Sequence, residues 1–111
     1  MSFNSASKIL SEGVGVFKNT GLSSVMFKNN IYVFYSGVGN DGAWYGVGPG
    51  ASPRTAQWTG PSSCRNSGAT IMSLSSYTSP CAVAFDNRIW VFFNGSGNNG
   101  TFWTTSQDGV I

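Results

Sequence analysis

The chain lacks histidine, and only 9% of its 111 residues are charged. Histidine is the commonest general acid–base catalyst, because its ordinary pKa lies closest to neutral pH. The four carboxylates are Glu12, Asp41, Asp86 and Asp108. Hydrolysis of a glycosidic bond, for example, needs two carboxyl groups flanking that bond, and none of the four recurs in the internal repeat that the chain contains. We therefore expect no catalytic residues and no enzyme activity.

Metal, nucleic-acid and membrane partners also lack support in the sequence. Two cysteines without histidine form no zinc-binding pattern, and no segment indicates a cofactor site. The net charge of +2 is too small to indicate a nucleic-acid partner. No apolar run approaches the roughly 20 residues that cross a bilayer, so we expect no membrane insertion. The N-terminal MSFNSASKIL lacks the apolar stretch of a signal peptide, and both a cytoplasmic location and unconventional export stay open.

Aromatic residues and glycine are abundant where charge is scarce. Aromatic side chains make up 14% of the chain, which also has 15 glycines and many Ser, Thr and Asn residues. Disordered segments combine few aromatic residues with high charge, so this composition does not fit a disordered chain. It is typical of a β protein with many tight turns.

One unusual segment occurs twice, with an offset of 58 residues. Residues 31–45 read IYVFYSGVGNDGAWY, and residues 89–103 read IWVFFNGSGNNGTFW. Between residues 25–42 and their counterparts, ten positions are identical. Four further pairs exchange one aromatic residue for another: Tyr32 with Trp90, Tyr35 with Phe93, Trp44 with Phe102, and Tyr45 with Trp103. We interpret the chain as one domain, residues 1–111, made of two tandem repeats.

Four strands are predicted in each repeat. In the second copy they are Ala69–Leu74, Cys81–Phe85, Arg88–Phe93 and Thr101–Thr105. The strands at 31–35 and 89–93 are apolar at every position, which predicts burial on both faces. The turns GNDG and GNNG that follow these strands supply the positive φ values that a hairpin requires. Shorter turns, Lys-Asn-Asn and Asp-Asn-Arg, precede the apolar strands.

Repeated four-stranded antiparallel sheets that are buried on both faces are the blades of a β-propeller, so the predicted fold is all-β. Two blades cannot close a ring, and their outer faces would expose aromatic patches that soluble monomers avoid. Because propellers have about 4–8 blades, we expect two to four chains to assemble, with a homotrimer of six blades as the first expectation. The repeat register begins within a repeat, so the N-terminal region 11–17 is expected to complete a blade of a neighbouring repeat or chain.

The segment YTSPCAVAFDNRIWVFFNGSGNNGTFWTTSQDG, residues 77–109, resembles the repeat of bacterial and fungal β-propeller lectins. Those repeats run from a Thr-Ser-x-Pro-like turn through an Ala-Val pair and an Arg-apolar-x-Val-Phe strand to a glycine-rich turn and an aromatic strand. The resemblance covers residues 22–47 and 79–109, and the long segment 48–70 departs from it. It implies a non-catalytic lectin that binds glycans, often fucosylated ones, in pockets between blades. It also implies two-blade chains that trimerise.

Candidate sugar contacts cluster at the glycine-rich turns. A sugar ring stacks its C–H patches on an aromatic face, and its hydroxyls need amide, carboxylate or guanidinium partners. The turn and the strand after it supply both kinds of group. The candidates are Asn40, Asp41, Trp44 and Tyr45 in the first copy, Asn98, Asn99, Phe102 and Trp103 in the second, and Arg54, Trp58 and Arg65 in the long segment.

Plainer interpretations of the same residues stay open. The Gly-x-Gly-Asn-x-Gly turns lead into strands rather than into a helix, so they are not phosphate loops, and a hairpin turn alone would explain them. Each aromatic residue of the two pairs either packs in the core or lines a pocket, because the faces of a strand alternate. A structural or protein-interaction propeller is the alternative to a lectin.

The two cysteines, Cys64 and Cys81, are 17 residues apart, and their counterparts in the other copy are Ala6 and Ser23. Both cysteines are present in one copy and both are missing from the other, as expected for two residues that are bonded to each other. We therefore predict a disulfide between them in an oxidising compartment, which would contribute about 3 kcal/mol. Two reduced thiols are the alternative.

Overall fold

The structure is a computed structural model that describes residues 19–38, 42–50, 58–66, 70–71, 74–98 and 100–108. These ranges contain strands and no helix, which confirms the predicted all-β class for this part of the chain. The strands are β1 (Leu22–Phe27), β2 (Asn30–Ser36), β3 (Ala43–Pro49), β4 (Thr59–Ser63), β5 (Arg65–Asn66), β6 (Thr70–Ile71), β7 (Cys81–Phe85), β8 (Arg88–Asn94) and β9 (Thr101–Ser106). Accordingly, no helix of the described residues is long and apolar enough to cross a membrane.

Two antiparallel sheets carry the two repeats. The first sheet has the order β1-β2-β3-β4, and the second has the order β7-β8-β9. Consecutive strands are neighbours in both, so each sheet is a simple meander whose connections are hairpins. Within the described ranges, no strand pairs with the outer edge of β9. The region 11–17, predicted to complete a blade, lies outside the described residues.

Two-residue turns join the first two strands of each sheet. Lys28 and Asn29 have φ values of 46° and 65°, and their counterparts Asp86 and Asn87 have 54° and 55°. Positive φ at both central residues is the geometry of a type I′ turn, whose twist matches that of the flanking strands. Asparagine tolerates this region better than most residues do, which explains why both copies keep it at the second turn position.

Of the predicted strand Ala69–Leu74, residues 69, 72 and 73 lie outside the described residues, and Thr70 and Ile71 do not join the second sheet. Thr70 and Ile71 pair instead with Arg65 and Asn66, as a separate two-stranded unit. The fourth strand of the first sheet is β4, which follows β3 along the chain. The physical reason is that β3 has unpaired backbone groups along its free edge, and the next extended segment of the chain pairs with them. The first sheet therefore gains its last strand after β3 rather than before β1.

Paired residues of neighbouring strands share one face of a sheet, so the register defines the faces. We call the contacting surfaces of the two sheets their packed faces and the outer surfaces their open faces. The packed face of the first sheet carries Val25, Phe27, Tyr32, Phe34 and Tyr45, and that of the second carries Ala82, Ala84, Ile89, Val91 and Phe93. The open face of the first sheet carries Leu22, Met26, Ile31, Val33 and Trp44, and that of the second carries Val83, Phe85, Trp90, Phe92 and Trp103.

The core lies between the two packed faces. Phe34, Ile89 and Val91 have no solvent-accessible surface, and all three belong to one apolar cluster. Burying side chains of this size stabilises the fold by roughly 1.5–3 kcal/mol each. Strand β1 lies against β7 and β8, and the Ala82 N–H donates a hydrogen bond of 2.9 Å to the Ser23 hydroxyl.

Candidate functional site

The two glycine-rich turns are closed in the same way. The Gly37 N–H donates to the Gly42 carbonyl at 2.9 Å, and the Gly95 N–H donates to the Gly100 carbonyl at 2.9 Å. Gly42 and Gly100 have φ values of 107° and 126°, which side-chain-bearing residues rarely adopt. These facts confirm both predicted hairpins and explain the last glycine of each motif. In the second turn, Asn98 has φ 57° and exposes its side chain.

One loop, residues 74–79, links the two hairpins, and we call it the bridging loop. Leu74 forms an isolated bridge with Gly95, and the Ser75 N–H donates to the Asn94 carbonyl at 2.9 Å. At its other end, the buried Ser36 hydroxyl donates to the Thr78 carbonyl at 2.6 Å. The loop is therefore fixed to the base of the second hairpin and to the last residue of β2, where the first hairpin begins.

The bridging loop also has a hydrogen-bonded turn of its own. Thr78 donates twice to the Ser75 carbonyl, from its N–H at 3.3 Å and from its hydroxyl at 2.6 Å. Tyr77 lies within this turn, with φ 63° and 58% of its surface exposed. A positive φ is uncommon for any non-glycine residue, and aromatic residues are not among those that favour it. Its repeat counterpart Asn19 has the same φ of 63°, so the backbone conformation at this position is common to both copies while the side chain differs.

Tyr77 was not among the residues predicted from the sequence. It lies outside the two glycine-rich motifs that directed the prediction. The available signal was the offset of 58, which places an aromatic residue, Tyr77, on a turn-forming asparagine, Asn19. The same loop in the first copy therefore offers an amide where the second copy offers an aromatic ring.

The predicted aromatic pairs divide between the faces of their sheets. Tyr45 is 8% exposed and belongs to the core, so it offers little surface to a ligand. Trp44 is half-buried on the open face of the first sheet. Phe102 is 44% exposed and stacks on Phe93 with ring centroids 5.8 Å apart. Trp103 is 60% exposed, on the open face of the second sheet.

The remaining candidates are spread over different parts of the chain. Asn40, Asp41, Asn99 and Arg54 lie outside the described residues. Arg65 lies in the short strand β5, away from both hairpin turns in the sequence. Trp58 is half-buried, and its ring lies flat against the Cα of Gly48 in β3, where a Cβ would collide with the ring carbons. Trp58 is thus a packing residue of the first sheet.

Three aromatic rings form a ladder on the open face of the second sheet. Phe85 stacks on Trp90 with centroids 4.7 Å apart and planes 10° apart. Trp90 packs in turn on Trp103 at 5.0 Å, and the Trp90 indole N–H donates to the Phe85 carbonyl at 3.2 Å. The counterparts of these residues, Phe27, Tyr32 and Tyr45, are each less than 10% exposed.

The predicted disulfide is absent from the structure, in which Cys64 and Cys81 are both free thiols. Cys64 lies in the core, and its N–H donates to the Ala43 carbonyl at 2.8 Å. Cys81 is exposed and pairs with Phe92 in the register of the second sheet, which places its side chain on the open face. The two thiols therefore lie on different sides of the structure.

Burial changes the acidity of two core groups. It raises the pKa of the Cys64 thiol to about 12, because a thiolate would lose its hydration there. Burial also raises the pKa of the Tyr32 hydroxyl, and the neighbouring Tyr45 adds to this rise while a hydrogen bond from the Asn30 side chain opposes it. Both residues belong to the apolar core and neither adjoins the bridging loop in the sequence, so these pKa shifts reflect packing rather than a binding site.

Acidic and metal-ligating side chains are scattered over the described ranges, which contain no cluster of three or more His, Cys, Asp or Glu side chains. Asp86 lies in the two-residue turn before β8, and Asp108 accepts a hydrogen bond of 2.9 Å from the Ser106 hydroxyl after β9. The bridging loop carries hydroxyls, backbone groups and the Tyr77 ring, which suit the binding of a neutral polar molecule better than proton transfer.

Comparisons with known proteins give no match to a family model, to a curated protein or to a solved structure.

Proposed function

We propose that the chain is a non-catalytic carbohydrate-binding protein whose two sheets are blades of a propeller completed by several copies. The observation that carries the sugar-binding part is the bridging loop. It is held against both glycine-rich hairpins while the Tyr77 ring stays exposed at a backbone position unfavourable for tyrosine.

The chemistry of the loop suits a monosaccharide. A sugar needs one aromatic face for its C–H patches and several directional hydrogen-bond partners, and Tyr77 and Asn98 offer one of each kind. The hydrogen bonds of Ser36 and Ser75 hold the loop before any ligand binds. Preorganisation of this kind favours affinity, because little conformational entropy remains to be lost on binding. Strained backbone that persists in a structure is often associated with a binding site.

The repeat makes the protein multivalent. Every blade has a glycine-rich hairpin, and every joint between blades places the loop of the next blade beside it. Weak sites linked in this way reach affinities about 10²–10⁴ times that of a single site. Fucose is the first monosaccharide to test, since the resemblance to propeller lectins implies it.

A propeller arrangement is supported by the way the sheets meet. The Gly21 N–H donates to the Ser79 hydroxyl at 2.7 Å, and these two residues are 58 positions apart, which is the repeat offset. In a propeller the first strand of every blade lines the central axis, so corresponding residues of neighbouring blades lie close to one another there. With two blades per chain, about 4–8 blades require two to four copies, and a trimer is the first expectation.

The test is a glycan array probed with the labelled chain, followed by competition with the free monosaccharide. Tyr77→Asn should weaken binding at least about tenfold, or ~1.4 kcal/mol, because the aromatic face is lost while the turn keeps a residue suited to its φ. Asn98→Gly should also weaken binding, because it removes the amide at a positive φ that glycine tolerates.

Asn87→Gly is the matched control for Asn98→Gly. It removes the same amide from a turn with φ 55°, at the other end of β8. Affinity should be unchanged in this variant. If the array is negative, or if Tyr77→Asn and Asn98→Gly both bind as tightly as the unaltered chain, the proposed site is wrong.

A second function has one observation in its favour. The aromatic ladder of Phe85, Trp90 and Trp103 is a large exposed apolar surface, which is typical of a protein-interaction module. A chain that binds no glycan but retains a protein partner on this surface would favour that alternative.

A further inference from the structure

The described residues contain one joint between sheets, and both surfaces of that joint recur, at least partly exposed, on the open faces of the two sheets. On the packed face of the first sheet, Phe27 is 7%, Phe34 0% and Tyr45 8% exposed. Their counterparts on the open face of the second sheet are Phe85, Phe92 and Trp103, which are 51%, 37% and 60% exposed. The surface that the first sheet buries is thus present again on the second sheet, without a cover.

The other half of the joint is repeated too. On the packed face of the second sheet, Ile89 and Val91 are fully buried, whereas their counterparts Ile31 and Val33 on the open face of the first sheet are only partly buried. Pro80, just before β7, is also fully buried, and its counterpart Leu22 is 65% exposed. Both surfaces therefore keep the apolar character that the internal joint uses. On the open face of the first sheet, Tyr35 is already buried and the Trp58 ring covers Gly48, so Trp58 would form part of the contact surface.

We infer that the open face of the second sheet docks on the open face of the first sheet of another copy, with the geometry of the internal joint. This inference rests on the assembly part of the proposed function and names its contact surface. The contact joins two different surfaces, so each copy carries one of each and assembly proceeds head to tail. Each copy is related to the next by the same rotation, and the ring closes when the last copy docks on the first.

The internal joint also predicts one polar contact between copies. Within the chain, the Ser23 hydroxyl accepts from the Ala82 N–H. In the joint between copies, Cys81 takes the position of Ser23, and Ser24 of the second copy takes the position of Ala82. The exposed Cys81 thiol should therefore be covered on assembly, which makes it a reporter of the joint.

The experiment measures size by light scattering, without sugar, for two variants that each block one surface. Phe85→Glu with Trp103→Glu blocks the open face of the second sheet, and Leu22→Glu with Met26→Glu blocks that of the first. All four side chains are more than half exposed in the single chain, so circular dichroism should show that both variants fold. Val38→Glu is the control, since Val38 is 59% exposed in the first hairpin and belongs to neither face.

We expect the unaltered chain and Val38→Glu to measure two to four times the chain mass of 11.7 kDa. Each blocked variant alone should measure 11.7 kDa, and an equimolar mixture of the two should form a pair and nothing larger. The pair forms because each variant retains the surface that the other lacks. If the same face of two copies docked on itself, the variant that blocks the other face would remain fully assembled. That result would overturn the inference. So would an unaltered chain that is a monomer.

Cysteine labelling gives a second measurement. N-ethylmaleimide should modify Cys81 about tenfold more slowly in the assembled chain than in the Leu22→Glu, Met26→Glu variant, because a covered thiol is inaccessible. Equal rates in a chain that assembles would also overturn the inference. A monomeric chain that binds glycans would refute this inference alone, whereas an assembled chain that binds none would refute the sugar-binding proposal alone.

Discussion

Phe34 and Phe92 hold corresponding positions in the two sheets, within nearly identical strands, yet one is fully buried and the other is 37% exposed. The same contrast separates Tyr45 from Trp103. Local sequence does not account for it, because the register is the same in both copies and the strand residues adjacent to Phe34 and Phe92 are either identical or exchange one aromatic residue for another. What differs is the neighbour: the first sheet has the second one against its packed face, whereas no sheet of the described residues covers the open face of the second. Burial is thus set by position in the repeat rather than by the residue.

The largest expected effect is the difference in stability loss between alanine substitutions at Phe34 and at Phe92. Phe34→Ala should lower the free energy of unfolding by about 3–5 kcal/mol, the usual cost of emptying a phenylalanine site in a core. Phe92→Ala should lower it mainly in the assembled chain, so its cost should fall on dilution while that of Phe34→Ala stays constant. Urea denaturation at several chain concentrations measures both. If the two costs are equal when the chain is most dilute, the contrast between the sheets is wrong.

The next effect concerns a difference within β3 and β9. Gly48 of the first sheet supports the Trp58 ring, whereas its counterpart in the second sheet is Ser106. Gly48→Ala should cost about 1–3 kcal/mol, because a Cβ there overlaps the ring and forces it to move. Gly21→Ala is the control, since a Cβ at Gly21 would find its nearest neighbour, the Ser79 hydroxyl, at 3.9 Å. Thermal unfolding of both variants provides the measurement, and equal losses would contradict the packing of Trp58.

A smaller effect depends on pH and on which cysteine is buried. The pKa of Cys64 is raised by burial from 9.0 to about 12, so the folded chain keeps this proton while the unfolded chain loses it. The stability that the buried thiol contributes is therefore nearly complete below pH 9 and is lost as the pH rises toward 12, by about 1 kcal/mol per pH unit.

The variant Cys64→Ala should flatten this alkaline decline in urea denaturation relative to the unaltered chain. The quantity compared is the slope of the free energy of unfolding against pH, because the loss of packing in the variant lowers stability at every pH. Cys81→Ala is the matched control, because it removes the other thiol of the chain and leaves the buried Cys64 in place. An unchanged slope in Cys64→Ala would contradict the effect of burial on this thiol.

The sequence was sufficient for what depends on local chemistry. The all-β class and both glycine-rich hairpins follow from turn residues such as Asn29 and Gly42, whose backbone demands can be read directly. The strand predicted at 69–74 was assigned to the second sheet, whereas Thr70 and Ile71 pair with Arg65 and Asn66, because the choice of a pairing partner is a tertiary event without a local signal. The predicted bond between Cys64 and Cys81 failed for a similar reason, since the repeat alone does not tell on which side of a sheet each thiol lies.

The smallest expected effect has the opposite sign and concerns Tyr77 and Asn19, which share a φ of 63° in corresponding turns. Asparagine tolerates this region well, whereas tyrosine holds it at a cost of order 1 kcal/mol. Tyr77→Asn should therefore raise the free energy of unfolding by up to about 1 kcal/mol, less whatever packing the ring contributes. Asn19→Tyr, the reverse exchange, should lower it by a similar amount. Urea denaturation of both variants checks the pair. If Tyr77→Asn destabilises the chain, then the ring is held by packing rather than strained, and the argument that its position serves a ligand loses its premise. If the variant is more stable and binds sugar less well, the second copy has given up stability at this turn for binding, which the first copy, with asparagine, has not.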